Sequence, residues 1–249
     1  MELPPLTAGR ILRRYKRFLA DVELESGEIV TAHCPNTGSM QGCWAPGARV
    51  EISHSDNPGR KLPWTLERVD MGGGWIGVNT GRVNAVIAEA IEKGSIPTLS
   101  GYSTLKREPA YQAPGFPKSR FDLLLTDAGE RPDCYIEIKN ATLLVNDVIE
   151  FPDAVTTRGR KHLELLAYAA GEGLRAVMLY AVNRPEGSFF QPAREIDPDY
   201  AETLQRVAAQ RIEVLAMRLV HTTTGIETDG PVEVRIRKWF SPRSPRSSQ

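Results

Sequence analysis

The first eighty residues of the chain alternate short apolar segments with closely spaced turn residues, mainly glycine and proline. This spacing is typical of β-strands joined by tight turns. Five short strands in about seventy residues favour a small closed barrel, and the OB-fold is the common five-stranded form. A fragment of a β-sandwich is the alternative. Extended segments are predicted over Gly9–Leu24, Ile29–His33, Ala48–Ser53, Trp64–Val69 and Trp75–Val78.

The pattern changes near residue 80. Asn84–Lys93 carries its apolar residues at helical spacing, and residues 81–236 predict helices alternating with strands. We therefore expect an OB-like barrel over 1–80, then an α/β domain over 81–236 with a mixed sheet flanked by helices. A disordered basic tail is expected over 237–249. The remaining predictions are strands over Tyr102–Tyr111, Ser119–Thr126 and Cys134–Asn140, a helix over Arg158–Ala170, a buried strand over Arg175–Asn183, a helix over Pro198–Glu213, and strands over Ile212–Leu219 and Val232–Ile236.

Charge and cysteine content limit the classes of function. Lys and Arg total 31, as do Asp and Glu, so the net charge is zero and any nucleic-acid site must come from local clustering. No apolar run approaches the roughly 18 residues of a membrane helix, and the amino-terminal segment lacks the apolar stretch of a secretory signal. The three cysteines have no CxxC spacing and fit reduced thiols. We expect a cytoplasmic protein with no membrane contact.

The feature most suggestive of chemistry is Asp122 on one predicted strand and Glu137-Ile138-Lys139 on the next. The short, turn-rich loop between these strands predicts an antiparallel hairpin. Side chains alternate along a strand, so Glu137 and Lys139 share a face. If the register brings Asp122 beside Glu137, two carboxylates and the Ile138 backbone carbonyl offer hard oxygen ligands that suit Mg²⁺ or Mn²⁺. Lys139 is then placed to orient a water molecule or to stabilise charge on phosphate oxygens.

The alternative is a salt bridge on a solvated strand face. Against it, the charged residues lie within strands that are otherwise apolar, where charges are unusual. The order helix–strand–strand–strand–helix–strand around the triple resembles the PD-(D/E)xK nuclease superfamily.

At a finer level the chain resembles the prokaryotic family of sugar fermentation stimulation protein A. The resemblance covers residues 9 to about 234. It implies an OB-like first domain and a nuclease-like second domain, DNA binding without clear sequence preference, and a regulatory link to sugar metabolism, particularly maltose. It is carried by HCPNTGSM (33–40), GVNT (77–80), SRFDLLL (119–125), YIEIKNAT (135–142), FPDAVTTRGRKHLELL (151–166) and AVMLYAVNR (176–184).

The resemblance also implies roles for individual residues. Asp122 and Glu137 match the metal ligands and Lys139 the active-site lysine. Glu89, on the helix before the strands, matches a further catalytic acid, although an ordinary solvent-facing glutamate is an equal alternative. Where related nucleases carry Gln-x-x-x-Tyr, this chain has Glu164 and Tyr168.

Two basic clusters are candidates for nucleic-acid contact. The first lies with aromatic residues on the first predicted strand, as in OB-folds that hold single strands, but a charged edge strand explains it equally well. The second opens the helix that follows the Glu137 strand, with Arg120 flanking Asp122, and is favoured for phosphate contact. Together the clusters comprise Arg13, Arg14, Lys16 and Arg17, and Arg120, Arg158, Arg160 and Lys161.

These features predict a largely sequence-independent DNA-binding protein with a divalent-metal site of nuclease type. An active Mg²⁺- or Mn²⁺-dependent nuclease on DNA or RNA is one alternative, and a binder of sugar phosphates is a weaker one. A DNA-binding regulator with a structural carboxylate cluster has the same sequence features. The partner is expected to be nucleic acid, and a homodimer is compatible with the sequence.

Overall fold

The computed structural model describes residues 1–236; the basic tail expected over 237–249 lies outside the described residues. Six strands form the first sheet, in the order β3-β2-β1-β4-β5-β6. A parallel pairing of β3 with β5 closes β1 to β5 into the OB-like barrel that the turn spacing predicts. The strands are β1 Leu6–Tyr15, β2 Leu19–Leu24, β3 Ile29–His33, β4 Arg49–His54, β5 Trp64–Asp70 and β6 Trp75–Gly77.

The five barrel strands are not the five that the sequence indicates. Gly9–Leu24, predicted as one extended segment, is a hairpin of β1 and β2. Lys16 and Arg17 turn the chain there with positive φ angles of 49° and 67°. β6 lies outside the closed set, at the edge of the sheet beside β5. The stretch of charged residues hides this turn because it contains neither glycine nor proline.

The second domain contains a curled six-stranded mixed sheet in the order β17-β16-β14-β11-β10-β7. β11, β14 and β16 run parallel, while β10 is antiparallel to both β7 and β11. Its elements are α1 Thr80–Glu92, a 3₁₀ turn Pro97–Leu99, β7 Thr104–Arg107, β8 Ala110–Tyr111, β9 Ser119–Arg120, β10 Leu123–Thr126, β11 Cys134–Ala141, β12 Leu143–Val145, β13 Val148–Phe151, α2 Thr157–Gly171, β14 Arg175–Val182, β15 Phe189–Pro192, α3 Pro198–Ala208, β16 Glu213–His221, β17 Ile226–Pro231 and β18 Glu233–Val234.

Sequence patterning places most of these elements and misses the short ones. Strands β12, β13, β15 and β17 are not predicted from the sequence, whereas β18 falls within the predicted strand Val232–Ile236. The predicted strand Ser119–Thr126 is divided into β9 and β10, with Asp122 at the break. The helix predicted over Pro198–Glu213 ends at Ala208.

The sheet separates two apolar cores. α1 packs on one face with Ile136, Ile138 and Leu179. α2 and α3 pack on the other face with Met178 and Tyr180, which alternate with Leu179 along β14. Both faces of β14 are thus covered, as expected of its unbroken apolar sequence. The barrel has a separate core around Ile11, Val22 and Leu66.

The two domains are joined by polar contacts and by the first residues of the chain. Met1 and Leu3 form backbone hydrogen bonds with residues 224 and 226 of the second domain. The buried Arg68 guanidinium of β5 donates to the backbone carbonyl of Thr222 at 2.6 Å and pairs with Glu51 at 2.5 Å. The described helices include none that is long and apolar enough to cross a membrane.

Candidate active-site cleft

The register of β10 and β11 brings the two predicted carboxylates together. Leu123 pairs with Ile136, so Asp122, one residue earlier, lies opposite Glu137. Asp122 follows the short strand β9, and its backbone N–H donates to the Ile136 carbonyl at 3.1 Å. The acid therefore stands where the strand pairing ends, and its side chain faces an opening.

Asp122 is fixed by two donors. The backbone N–H of Ile138 donates to its Oδ2 at 2.6 Å, and the amide of Asn84, from α1, donates to its Oδ1 at 2.7 Å. The N–H and carbonyl of one strand residue point to the same side. The Ile138 carbonyl therefore points toward this same edge, as the metal-ligand hypothesis requires.

Glu137 is held from two sides and is only 2% exposed. Its Oε1 accepts hydrogen bonds from Lys139 Nζ and from His162 Nδ1, on α2. Arg158 Nε donates to the other ring nitrogen of His162 at 3.4 Å, which assigns the ring proton to Nδ1. The other carboxylate oxygen of Glu137, Oε2, is buried and has no hydrogen-bond partner among residues 1–236.

The pKa values of Asp122 and Glu137 are shifted in opposite directions. Burial raises the pKa of Asp122, and the neighbouring charge of Glu137 raises it further. Burial also acts to raise the pKa of Glu137, but the hydrogen bond from His162 and the charge of Lys139 outweigh it and lower that pKa. Glu137 thus keeps its negative charge, and a cation placed between the two acids would favour ionised Asp122.

These residues line a cleft of about 500 Å³ between the two domains. The barrel contributes the turn after β3, where Asn36 and Gly38 line the wall. Asp153, after β13, accepts hydrogen bonds from the Ser39 hydroxyl at 3.1 Å and the Met40 N–H at 3.0 Å. A Cβ at Gly38 would lie 2.6 Å from the Asp153 carboxylate, so this contact between the domains requires glycine.

The residues present fit a divalent cation. Residues 1–236 contain no group of three or more His, Cys, Asp and Glu side chains that could hold a metal. Two carboxylates with one main-chain carbonyl still match the way Mg²⁺ is commonly held, because Mg²⁺ retains several waters and takes further oxygens from substrate phosphates. The buried Oε2 of Glu137, which has no hydrogen-bond partner among residues 1–236, is an atom that such a cation would satisfy, and buried polar atoms are almost always satisfied.

The second basic cluster reaches the cleft in part. Arg120 and Arg158 line it, and Lys161 lies beside it in a neighbouring groove. Arg160 points elsewhere and pairs with Asp199 of α3 at 2.5 Å. Arg160 therefore pairs with a carboxylate of the protein, where the sequence predicts a contact with phosphate.

The first basic cluster is largely engaged within the barrel. Arg13 pairs with Asp21 at 2.7 Å. Arg14 donates to the carbonyls of Arg17, Asn36 and Gly38 at 2.7 to 2.9 Å, and thereby holds the turn that lines the cleft. Lys16 and Arg17 are exposed at the tip of the β1–β2 hairpin, so they are the members of this cluster that can contact a partner.

Glu89 is a correction to the predicted site. Its carboxylate pairs with Lys93 at 2.5 Å and with the amino terminus at 3.2 Å, outside the cleft. The residue that α1 directs at Asp122 is Asn84. Five residues separate the two positions, which places them about 140° apart around the helix, so only one of them can face the site.

His162, like Asn84, contacts the site and is not predicted from the sequence. Glu164, which matches the glutamine of related nucleases, does not lie in the site. Glu164 pairs with Arg206 of α3 at the surface, and Tyr168 packs against Phe116. His162 lies on the buried face of α2 with Leu163 and Leu166. A histidine at an apolar position of an amphipathic helix was the available signal.

Fold and site define a two-domain protein in which an OB-like barrel precedes a mixed sheet bearing a carboxylate cleft. Residues 12–78 match the family model described as the SfsA N-terminal OB domain. Residues 81–225 match the model described as the sugar fermentation stimulation protein RE domain. The chain therefore belongs to the sugar fermentation stimulation protein family, as its sequence motifs predict.

Relatives of similar length support this assignment. The sugar fermentation stimulation protein homolog of Geotalea uraniireducens is 49% identical over 95% of this chain and all of its own length. The homolog of Acidithiobacillus ferrooxidans is 50% identical over 88% of this chain and 92% of its own. The structure of Pyrococcus furiosus SfsA in complex with Ca²⁺ is similar with a TM-score of 0.84, at 28% identity, covering 95% of this chain and 98% of that one.

Proposed function

We propose that this protein binds DNA with little sequence preference and that its cleft holds a divalent cation, Mg²⁺ or Mn²⁺, at the point of phosphate contact. Asp122, Glu137 and the Ile138 carbonyl would hold the cation, and the unpartnered Oε2 of Glu137 is the observation that carries the proposal. A bound cation would neutralise phosphate oxygens beside two carboxylates that otherwise repel them. The Pyrococcus furiosus relative was solved in complex with Ca²⁺, which supports a cation-binding role for the family.

The DNA contact is proposed from charge. Arg158 and Lys161 are exposed on the first turns of α2, beside the cleft. Phosphate contacts of this kind carry no sequence information. A cytoplasmic location is proposed with this role, because the three cysteines are buried and unpaired. The family's name concerns sugar fermentation, and a DNA-binding regulator is compatible with that name.

Phosphodiester hydrolysis is a second candidate, favoured by Lys139. Its ammonium lies against Glu137 on the same strand face, and the Lys139 side chain is only 17% exposed. From there it can orient a water molecule or stabilise negative charge on a phosphate. His162 holds the Glu137 carboxylate by its Oε1, and Oε2 has no partner among residues 1–236.

Calorimetry tests the cation site. Mg²⁺, Mn²⁺ and Ca²⁺ are titrated into the wild type, Glu137→Gln and Glu92→Gln, where the last is an exposed glutamate of α1. We expect Glu137→Gln to weaken binding at least tenfold and Glu92→Gln to leave it unchanged. Equal binding by all three proteins would refute the site.

Fluorescence anisotropy with labelled DNA over a salt series tests DNA binding. Arg158→Ala and Lys161→Ala are each expected to weaken binding and to reduce the salt slope by about one. Lys61→Ala, an exposed lysine of a barrel loop, is the charge-matched control. A flat salt dependence in the wild type would contradict phosphate contact. Strand cleavage with Mn²⁺, lost in Lys139→Ala while binding persists, would establish the hydrolytic function.

A further inference from the structure

A second cavity, of about 610 Å³, adjoins the cleft; we call it the groove. Arg120, Arg158 and His162 line both cavities, so the two lie side by side. The rest of the groove comes from residues 116–119 and from Lys161 and Leu165 of α2. Its size lies in the range of pockets that hold small organic ligands.

The cleft and the groove differ in charge. The cleft is lined by five carboxylates and three basic side chains: Glu108, Asp122, Glu137, Glu150 and Asp153 against Arg120, Lys139 and Arg158. The groove is lined by no acidic residue in the described chain, and by four basic ones, Lys118, Arg120, Arg158 and Lys161. The cleft therefore favours cations and the groove favours anions such as phosphate.

The groove also has an apolar wall. Phe116, Pro117 and Leu165 line it beside the basic residues. Phe116 is half-buried, and Tyr168 packs against its ring at 61° with 5.9 Å between centroids, which fixes the ring in place. Phosphate alone gains nothing from this surface, so the preferred ligand carries a flat apolar group as well as a negative charge.

We propose that the groove binds one unpaired nucleotide of a single DNA strand, with the base against Phe116 and Pro117 and the phosphate at Lys118 and Lys161. The inference rests on the proposed function and names its substrate class. In a duplex the bases are stacked in the helix, and the outer surface is sugar and phosphate. Only an unpaired base can cover the apolar wall, and aromatic residues are the usual platform for such bases.

The substitution that tests the groove is Phe116→Leu, which keeps an apolar side chain and removes the ring. Anisotropy is measured in Ca²⁺ with a labelled single strand and with a blunt duplex of the same sequence. We expect single-strand affinity to fall about tenfold and duplex affinity to change less than twofold. Phe116→Trp, which keeps an aromatic face, is expected to retain single-strand affinity.

Two controls separate stacking from damage to the fold. Phe189→Leu removes a half-buried ring elsewhere in the second domain and is expected to leave both affinities unchanged. A strand of abasic sites is expected to bind the wild type as weakly as Phe116→Leu binds the normal strand, with no further loss in the variant.

The outcomes distinguish this inference from the proposed function. Equal losses on the single strand and the duplex would overturn the groove assignment, as would undiminished binding of the abasic strand. Wild-type binding of both DNAs with no effect of Phe116→Leu would overturn the groove assignment alone. Failure of the wild type to bind either DNA would overturn both proposals.

Discussion

Two buried glutamates, Glu67 between the domains and Glu137 in the cleft, have opposite hydrogen-bond environments. Glu67 Oε1 accepts from the Ser53 hydroxyl and from Arg82, each at 2.7 Å. Its Oε2 accepts from the Asn79 amide at 2.8 Å and from Arg82 Nε at 3.2 Å. Both oxygens of this carboxylate are satisfied by the protein.

Glu137 receives both of its donors on one oxygen, and the other oxygen is buried without a partner in residues 1–236. A carboxylate that is fully paired holds two surfaces together, whereas one with a buried free oxygen can still accept a further donor or a cation. Both glutamates are 2% exposed, so they differ in their partners and not in their burial.

The largest expected effect on stability is at the interface between the two domains, at Glu67. Glu67→Gln removes the charge that pairs with Arg82 and places an amide donor among donors, so we expect unfolding free energy to fall by about 3 kcal/mol. Urea denaturation at pH 7.5 measures it. Glu25→Gln, on the exposed surface of the barrel, should stay within about 0.5 kcal/mol of the wild type. Similar midpoints for the two variants would show that the network does not stabilise the fold.

The same contrast extends to two arginines that are neighbours on β1. Arg14→Ala leaves the carbonyls of Asn36 and Gly38 without their donor, and we expect a loss of about 2 kcal/mol in unfolding free energy. Arg13→Ala removes an ion pair in which the arginine is exposed. The buried Asp21 keeps the hydroxyls of Tyr15 and Thr31 as donors, so we expect a smaller loss than in Arg14→Ala. Comparable losses in the two variants would remove the distinction between them.

A smaller effect of opposite sign is expected in the cleft. Asp122→Asn relieves the repulsion from Glu137, and the side-chain amide of Asn84 can turn over to accept from the new NH₂ group while the remaining side-chain oxygen at position 122 accepts from Ile138. Without metal we therefore expect the variant to be more stable than the wild type by about 1 kcal/mol at pH 7.5. The same variant should lose most of the stabilisation that Mg²⁺ gives the wild type. Thermal unfolding with EDTA and with Mg²⁺ measures both effects, and destabilisation in EDTA would contradict the repulsion.

The contributions of Glu67 and Asp122 to stability are expected to depend on pH in opposite ways. Burial acts to raise the pKa of Glu67, but the hydrogen bonds from Arg82 and Ser53 lower it below its usual 4.5. Its contribution is therefore present above pH 4.5 and lost as the pH falls through the lowered pKa. Asp122 behaves oppositely: its pKa is raised above 3.8, so the folded state loses stability as the pH rises through the raised value.

Urea midpoints of the wild type, Glu67→Gln and Asp122→Asn between pH 3.5 and 7.5 resolve these contributions. The deficit of Glu67→Gln should shrink toward low pH, and so should the advantage of Asp122→Asn. A deficit or an advantage that is constant over this range would show that ionisation of the residue concerned is not its cause.

Sequence patterns correctly predicted the features that depend only on neighbouring residues. Turn residues marked the short barrel strands, and strand alternation placed Glu137 and Lys139 on one face, where their side chains meet. They failed where the turn had no marker, as at Lys16 and Arg17. The short strands β12, β13 and β15 escaped because three or four residues are too few to show periodicity.

Sequence by itself determined the family, the barrel followed by a mixed sheet, and the shared strand face of Glu137 and Lys139, because strand period and turn chemistry act over a few residues. Only the tertiary structure decided that Asp122 lies opposite Glu137. It also decided that Asn84 and His162 hold the two acids, that Glu89 lies elsewhere, and which basic side chains face the cleft. Those outcomes depend on how α1 and α2 are rotated against the sheet. That rotation is set by packing of the apolar cores, so distant residues choose which side chains meet.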